Sequence, residues 1–306
     1  MNDTELPYIS VIITAYDRKE FLLNAIKSAL NQTLDKKYYE IIVIKNFRDE
    51  NIDDFIIENK IVEIISNDNS LAGKLIEALN VAKGTVISFL DDDDLFSSNK
   101  LEVVYNKFKS NNDLCYYHNT HITMDEKYQK FDSKLGKSVA FNLSSISVRK
   151  SILNLNYLKK ISTNVDHFMY LSALESGKAI MSGKENLTYY MFHNSVSHID
   201  TADINEFIQN RNPDVEKDIK PFIMFEAVFV SGKAKNYIRQ KIINIEIDDY
   251  ILGENKKPGN AINILRKCDR PFSARMEIYI AYLLVRLHHN FRHIIIKKFM
   301  NNNKKS

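Results

Sequence analysis

Ala82-Lys83-Gly84-Thr85-Val86-Ile87-Ser88-Phe89-Leu90-Asp91-Asp92-Asp93-Asp94 is the stretch from which the fold follows. Val86 to Leu90 is an apolar run of strand length, and four carboxylates follow it in a row. Apolar runs of this kind mark strands buried on both faces, as in parallel sheets. Four adjacent anions repel one another, and a fold keeps them together where positive charge is set against them. The strand delivers them to the carboxyl end of a sheet, where open α/β sheets bind ligands. Strand alternation points Asp91 and Asp93 one way and Asp92 and Asp94 the other. One pair then suits a hydrated divalent cation, and the other meets solvent or caps the next helix. Taken alone, the run also reads as an acidic turn capping a helix from about Ser98. The apolar strand ahead of it and the rest of the chain favour a metal and phosphate site.

Outward from this stretch, strands and helices alternate. Ile9 to Thr14 is a second buried-strand run, followed by Asp17-Arg18-Lys19-Glu20, an acidic cap that opens a helix. That helix buries a stripe through Phe21, Leu22, Ala25, Ile26, Ala29 and Leu30. Glu40 to Ile44 and Ile61 to Ile65 read as strands with a helix at Asn51 to Asn59 between them, and Leu71 to Ala82 as a helix ended by Gly84. Short links between alternating elements predict a parallel, right-handed α/β layer. Beyond the acidic run come a helix at Ser98 to Ser110 and strand-like pieces at Leu114 to Tyr117 and His121 to Phe131, turning at Asp125-Glu126. A helix from Val165 is closed by Gly177, and Lys178 to Ser182 and Leu187 to Phe192 are strand-like again. Past residue 205 the pattern turns helical, which sets a domain of residues 1–204 before an extension of residues 205–306.

A chain of 306 residues with 44% hydrophobic and 26% charged content is an ordinary globular protein with room for a full core. Its net charge of +3 is unevenly spread: residues 271–306 hold seven Lys/Arg against one acid, Glu277, so this stretch carries +6 and the remainder about −3. Two distant thiols, Cys115 and Cys268, fit a reducing compartment and form no metal motif. Met1-Asn2-Asp3-Thr4-Glu5 is no signal peptide, and the longest apolar run of the tail is cut by Arg286, too short to span a bilayer. The expected location is cytoplasmic, with room for peripheral contact on the inner face of the cell membrane.

Three blocks resemble the family 2 glycosyltransferases, enzymes of GT-A fold. They are Ser10-Val11-Ile12-Ile13-Thr14-Ala15-Tyr16-Asp17-Arg18 with its continuation through Thr33, the stretch quoted first, and Val165-Asp166-His167-Phe168 leading to Gly177. The likeness spans about residues 7 to 200. It implies a Rossmann-type, mostly parallel sheet flanked by helices, and an inverting sugar transferase fed by a nucleotide-diphosphate sugar, a UDP-sugar above others. By that resemblance Thr14, Ala15, Tyr16 and Arg18 line the nucleotide pocket. Asp91 and Asp93 fall on the Asp-x-Asp motif, Asp93 as direct ligand of Mn²⁺ or Mg²⁺ and Asp91 toward the ribose or the metal's water shell, with Asp92 beside them. Asp166 falls on the catalytic base, and His193, on a loop after the last strand, is a candidate contact to metal or phosphate. Each has a plainer reading: Asp166 as an acid in a first helical turn, Tyr16 as packing, Arg18 as a solvated charge, His193 as a surface residue. Asn142, Leu143, Ser144, Ser145 and Arg149 are candidates to touch the acceptor.

The chain departs from this pattern twice. Where the family carries an acid that reads the nucleobase, Lys45 and Asn46 stand here, with Asp49 further along. The family's Arg-Asn pair ahead of the fourth strand is missing, and Lys74 is left to supply a cation. The implied acceptor is a glycan or a lipid-linked sugar. Residues 274 to 300 read as a basic amphipathic helix, suited to packing on the catalytic domain, to a homodimer contact or to an anionic membrane surface. Nucleic acid is not an expected partner, since the basic residues are few and no recognition motif accompanies them. Two other functions compete: a nucleotidyltransferase, against which Thr14-Ala15-Tyr16-Asp17-Arg18 lacks a glycine-rich phosphate loop, and a non-catalytic binding or scaffold relative, against which the acids at Asp91, Asp93 and Asp166 are all retained.

Overall fold

The computed structural model describes residues 6–124, 142–161, 163–191, 215–252, 263, 265–267 and 271–287. The chain divides into two units, Met1–Phe192 and His193–Ser306. The first unit is mixed α/β. Its elements run β1 (Ile9–Thr14), α1 (Lys19–Leu30), β2 (Tyr39–Lys45), α2 (Glu50–Glu58), β3 (Val62–Ile65), α3 (Leu71–Val81), β4 (Val86–Asp91), β5 (Leu95–Phe96), α4 (Lys100–Ser110), β6 (Leu114–Met124), β7 (Ile146–Arg149), α5 (Leu155–Leu158), α6 (Val165–Ser176) and β8 (Ala179–Met191). The eight strands form one sheet in the order β3-β2-β1-β4-β7-β6-β8-β5.

The parallel half is built as the apolar runs predict. β1 pairs in parallel with β2 on one side and β4 on the other, so the chain order reverses between β1 and β4. That reversal is a topological switch point, and it opens a crevice beyond the carboxyl ends of these two strands. Ile9, Val11, Ile13, Ile41, Val43 and Leu90 join Leu22, Ala25 and Ile26 of α1, Ile52 and Ile56 of α2, and Leu101, Val104 and Phe108 of α4 in one core cluster. The alternate strand residues Ile12, Ile42, Ile44, Ile87 and Phe89 are equally buried, and α3 packs against β1 and β2. Burial on both faces explains why these strands read as unbroken apolar runs.

The second half of the sheet differs from its expected form. β6 continues from Leu114 through Met124, and the predicted turn at Asp125-Glu126 lies outside the described residues. The two pieces at Lys178 to Ser182 and Leu187 to Phe192 are one long strand, β8. It runs parallel to β6 across irregularities at Leu114/Tyr116, His118/Thr120 and Thr120/His121. Such shifts bend and twist a strand while keeping the ladder, and they let β8 pass through the polar Lys184-Glu185-Asn186 without ending. The short strands β5 and β7 escaped sequence reading. α6 ends at Gly177, which takes a left-handed φ of 70°, as predicted for its closure. Asp17 is not the cap of α1. It holds a left-handed φ of 55°, and Arg18 occupies the cap position without a side-chain cap hydrogen bond.

In the second unit, α7 (Val215–Glu226), α8 (Gly232–Leu252) and α9 (Phe272–Leu287) confirm the helical character read from the sequence. Phe222, Phe225 and Phe229 bury a ladder of rings whose centroids lie 5.7 and 6.0 Å apart, and Ala234, Ile238 and Ile243 of α8 are buried with them. Phe272, Met276 and Ile280 instead stand exposed one turn apart along α9. No helix among the described residues is long and apolar enough to cross a membrane.

Gly84 makes the turn into β4 possible. A Cβ there would lie 2.4 Å from the Ser10 backbone nitrogen and 2.6 Å from the Ile9 carbonyl carbon, neither of which can yield. Its N–H donates to Ser10 Oγ at 2.8 Å, and Ser10 Oγ in turn donates to Glu40 Oε1 at 2.6 Å. Gly84→Ala is expected to destabilise the first unit by about 1–3 kcal/mol or more, read as a lowered urea midpoint. An unchanged midpoint would mean that the β1–β4 approach is looser than described.

Candidate active site

The β1–β4 register sets Thr14 opposite Asp91, so the two strands end level with each other. β4 ends at Asp91, and Asp92 and Asp93 form a turn closed by the Asp94 N–H donating to the Asp91 carbonyl at 3.2 Å. Strand alternation therefore stops one residue into the acidic run. Asp91 and Asp93 are half-buried, but Asp92 and Asp94 are each only 1% exposed. The expectation that this second pair meets solvent or caps the next helix is overturned. Both carboxylates are held inside by groups that sequence spacing does not bring near.

Arg18 spans the outside of the turn. Its guanidinium donates to the Asp92 carboxylate and, at 2.6 Å, to Asp93 Oδ2, while the Tyr16 N–H donates to Asp92 Oδ2 at 3.3 Å. Burial works against the charge of Arg18, and Asp92 and Asp93 more than offset it, so its pKa rises. Thr14 Oγ1 lies 3.4 Å from Asp91 Oδ1, and the Asp91 N–H donates to Ser144 Oγ at 3.0 Å. On the inner side, Asp94 Oδ1 accepts the Met191 N–H at 3.1 Å, pinning the end of β8 to the acidic turn.

Lys100 supports the turn from behind, and no pattern along the chain singles it out. It is fully buried and donates to the Ser144 carbonyl at 2.6 Å, Asn119 Oδ1 at 2.9 Å and Thr188 Oγ1 at 3.2 Å. Burial lowers its pKa to about 7, with Asp94 pulling the other way. Ser144 thus links the cation to the acidic turn: its hydroxyl meets Asp91 and its carbonyl meets Lys100. Arg149 is also structural, since its guanidinium donates to the carbonyls of Leu114, Phe108 and Asn111. Asn142 caps a short 3₁₀ turn over Leu143–Ser145 whose residues are all buried. This segment packs against β4 and supports the sheet.

The carboxylates are short of positive charge. Burial first, then Asp93 and Asp92, raise Asp91 to about 7 against the pull of Arg18 and Thr14. Burial raises Asp92 to about 6 with Arg18 opposing, and burial with Asp91 and Asp93 raises Asp94 well above the carboxylate range. Tyr190 is pushed up to about 12 by burial and by Asp94, Asp93 and Asp91, and its ring packs edge-on to His121 at 5.5 Å. Among the described residues no group of three or more His, Cys, Asp or Glu side chains is arranged to hold a metal ion by itself. The half-buried pair Asp91 and Asp93 fits a hard divalent ion that takes its remaining oxygens from phosphate and water. Such an ion would also relieve the charge deficit.

The remaining predicted residues fall as follows. Ala15 is buried, its N–H bonded to the Ile44 carbonyl at 2.9 Å. Asn46 is exchanged with Asp17: its Oδ1 accepts the Asp17 N–H at 3.0 Å and its Nδ2 donates to Asp17 Oδ1 at 2.9 Å. Lys45 does not face the crevice. It is fully buried, hydrogen-bonded to Asp53 Oδ1 at 2.5 Å and the Phe47 carbonyl at 2.9 Å, and ion-paired with Glu63 Oε1 at 2.9 Å. Lys74 lies with its ammonium 4.6 Å from the centre of the Tyr16 ring. Thr14, Tyr16, Arg18, Asp91, Asp92 and Asp93 are thereby gathered at one crevice, with Asn46 and Lys74 at its edge through Asp17 and Tyr16. Asp166 stands on a separate element, in the first turn of α6, its Oδ1 accepting the His167 N–H at 2.8 Å. His193 lies outside the described residues.

A mixed sheet with a switch point at β1 and β4, and an acidic turn at that switch, defines an α/β domain whose ligand binds beyond the strand ends. The chain belongs to glycosyl transferase family 2, whose model matches residues 10–173. It is 33% identical over 129 residues to an uncharacterized glycosyltransferase of Rickettsia bellii (strain RML369-C), covering 41% of this chain and 18% of that protein. It spans 22% of a second relative, from Rickettsia conorii, and so a small part of either. With the UDP-Glc:alpha-D-GlcNAc-diphosphoundecaprenol beta-1,3-glucosyltransferase WfaP of Escherichia coli it shares 29% identity over 198 residues, 60% of this chain and 77% of that one. The fold is similar to that of Staphylococcus aureus TarS 1-349 in complex with UDP-GlcNAc, with a TM-score of 0.56 at 14% identity over 95% of this chain and 89% of that chain. That likeness confirms the expected GT-A architecture.

Lys100→Met keeps the volume and removes the donors that satisfy three buried acceptors. It is expected to lower the stability of the first unit by about 2 kcal/mol, measured by urea unfolding. Stability equal to that of the unchanged chain would show that the ammonium does not hold the acidic turn.

Proposed function

We propose that this chain transfers a sugar from a UDP-sugar to a hydroxyl of a glycan or lipid-linked acceptor, with inversion at the anomeric carbon. The observation that carries this reading is the acidic turn at the β1–β4 switch, where Asp91 and Asp93 sit half-buried beside Thr14, Tyr16 and Arg18 in a family 2 domain. The printed names of the relatives agree: WfaP takes UDP-glucose to a diphosphoundecaprenol-linked sugar, and TarS was solved with UDP-GlcNAc.

In this reading Asp93 and Asp91 hold Mn²⁺ or Mg²⁺, which when bound supplies charge that stabilises the departing diphosphate. Arg18 keeps the acidic turn in shape while Asp92 stays inside it. Asp166 accepts the proton of the acceptor hydroxyl as that oxygen forms its bond to the anomeric carbon, and the bond from that carbon to the diphosphate oxygen breaks. Residues 1–204 form the catalytic domain and residues 205–306 a helical extension.

Thermal unfolding with UDP-, GDP- and dTDP-sugars, each with Mn²⁺ and with EDTA, tests the donor. A ligand at 100 times its Kd adds about 2.7 kcal/mol, and the expected shift appears with a UDP-sugar and metal and is lost in Asp93→Ala. Transfer is expected to fall by about 10²-fold or more in Asp93→Ala and in Asp166→Ala with the fold intact. Full transfer in both variants would overturn the site assignment, and pyrophosphate release from a nucleoside triphosphate would revive the nucleotidyltransferase.

The second unit supports a membrane-surface role. Phe272, Met276 and Ile280 are 71%, 38% and 49% exposed along one row of α9, within a stretch that carries +6. An apolar row set among cations suits an anionic bilayer surface at the cytoplasmic face. Co-sedimentation with phosphatidylglycerol vesicles is expected, with none on phosphatidylcholine, and Phe272→Asp with Ile280→Asp should abolish it. Loss of a dimer in the same double variant, without any vesicle binding by the unchanged chain, would assign the row to a second copy instead.

A further inference from the structure

Four polar residues from separate elements meet in the interior of the first unit: Lys100 of α4, Asn119 of β6, Ser144 ahead of β7 and Thr188 of β8. Each is at most 1% exposed. Their hydrogen bonds close a ring. Lys100 donates to Asn119 Oδ1, the Ser144 carbonyl and Thr188 Oγ1. Asn119 Nδ2 donates to Thr188 Oγ1 at 2.9 Å and to the Thr120 carbonyl at 2.8 Å, and Thr188 Oγ1 donates to the Ser144 carbonyl at 3.2 Å. The three donors of the ammonium, the two of the amide and the one of the hydroxyl are all used, and the Ser144 carbonyl accepts twice.

Such a ring is a costly way to hold a sheet together. All three acceptors of Lys100 are uncharged, and a buried charge without an opposite charge against it is expensive. Apolar side chains of similar volume in place of a buried polar set often leave a fold as stable or more so. The ring has a second effect, which apolar packing would not supply: it fixes the backbone of Ser144 by hydrogen bonds. The Ser144 hydroxyl lies between the two ends of the acidic turn. It accepts the Asp91 N–H at 3.0 Å, and its hydrogen bond to the Asp94 side chain opposes the rise of that carboxyl's pKa. Asp91 is the last residue of β4, so the direction of its carboxylate follows from where its backbone is held. Ser147, three residues on in β7, offers a contrast. Its hydroxyl is equally buried but pairs with Ser88 Oγ, in the middle of β4, at 2.8 Å.

We infer that Ser144 is a positioning residue of the metal site: with its carbonyl locked by Lys100 and Thr188, its hydroxyl holds the acidic turn in the shape that lets Asp91 and Asp93 take a divalent cation together. This rests on the reading of that pair as the metal ligands. Groups that orient a metal's ligands without touching the metal are worth about 10–100-fold in metal affinity.

Calorimetric titration of the full chain with UDP, once with Mn²⁺ and once with EDTA, tests it, because the ratio of the two affinities isolates what the metal adds. The unchanged chain is expected to bind UDP at least about tenfold more tightly with Mn²⁺. Ser144→Ala is expected to lose about tenfold of that gain and to keep its affinity in EDTA. Ser147→Ala breaks a buried serine pair in the same part of the sheet, so it lowers the urea midpoint and keeps the gain. Lys100→Met combined with Asn119→Leu and Thr188→Val makes the ring apolar, and the gain falls even with the urea midpoint of the unchanged chain. A folded Ser144→Ala that keeps the gain overturns the inference, as does an equal loss in Ser147→Ala, which would mark a general loosening of the sheet. Where Ser144→Ala does not fold, the triple variant decides on the same terms. UDP binding by the unchanged chain with no gain from Mn²⁺ overturns the metal-pair reading and the inference with it, and binding under neither condition overturns the donor-site reading as well.

Discussion

Four carboxylates at the end of one buried strand are the constraint around which the first unit is arranged. Left to themselves they would force β4 outward into water. Instead Asp92 and Asp94 are 1% exposed, and each is held by a different part of the chain: Arg18 and the Tyr16 N–H for Asp92, the Met191 N–H for Asp94. The turn after β1, the end of β8 and the buried segment around Ser144 are thereby tied to one four-residue turn. None of these contacts is local in sequence, so the turn acquires its shape only when the sheet has closed around it.

Counting charges at that turn explains its chemistry. Arg18 shares its guanidinium between Asp92 and Asp93, and Lys100 approaches from inside through Ser144 without pairing with any carboxylate. Two cations thus face four acids, and the shortfall shows in Asp91, raised to about 7 by burial and by its neighbours. The same geometry separates two environments within the run: Asp92 and Asp94 are buried inside the turn, and Asp91 and Asp93 are half-buried beside Thr14 and Arg18.

The parallel half of the fold was legible because its signals are local. β1, β2 and β4 are apolar runs bounded by charge, and their helices carry apolar stripes, so their bounds came out within a residue or two. The rest depends on distant partners. β5 has two residues and exists only because β8 offers a ladder to it. β7 follows a serine-rich segment that reads as loop until Ser147 and Val148 find β4 and β6. In the crevice, the residues flanking the strand ends could be named from their order along the chain. The roles of Asp92, Asp94 and Lys100 could not, because alternation fails at a turn and because a lysine in a helix reads as solvated until its surroundings are known.

Lys45 shows how a departure in sequence can be absorbed without disturbing the site. A cation at the carboxyl end of a central strand is costly to bury, and here Asp53 from α2 and Glu63 from β3 converge on it, each less than a fifth exposed. A carboxylate in its place would face those two acids with no cation between them, so position 45 is fixed by its partners on α2 and β3 as much as by anything in the crevice. The three residues form one compensated set that spans β2, α2 and β3.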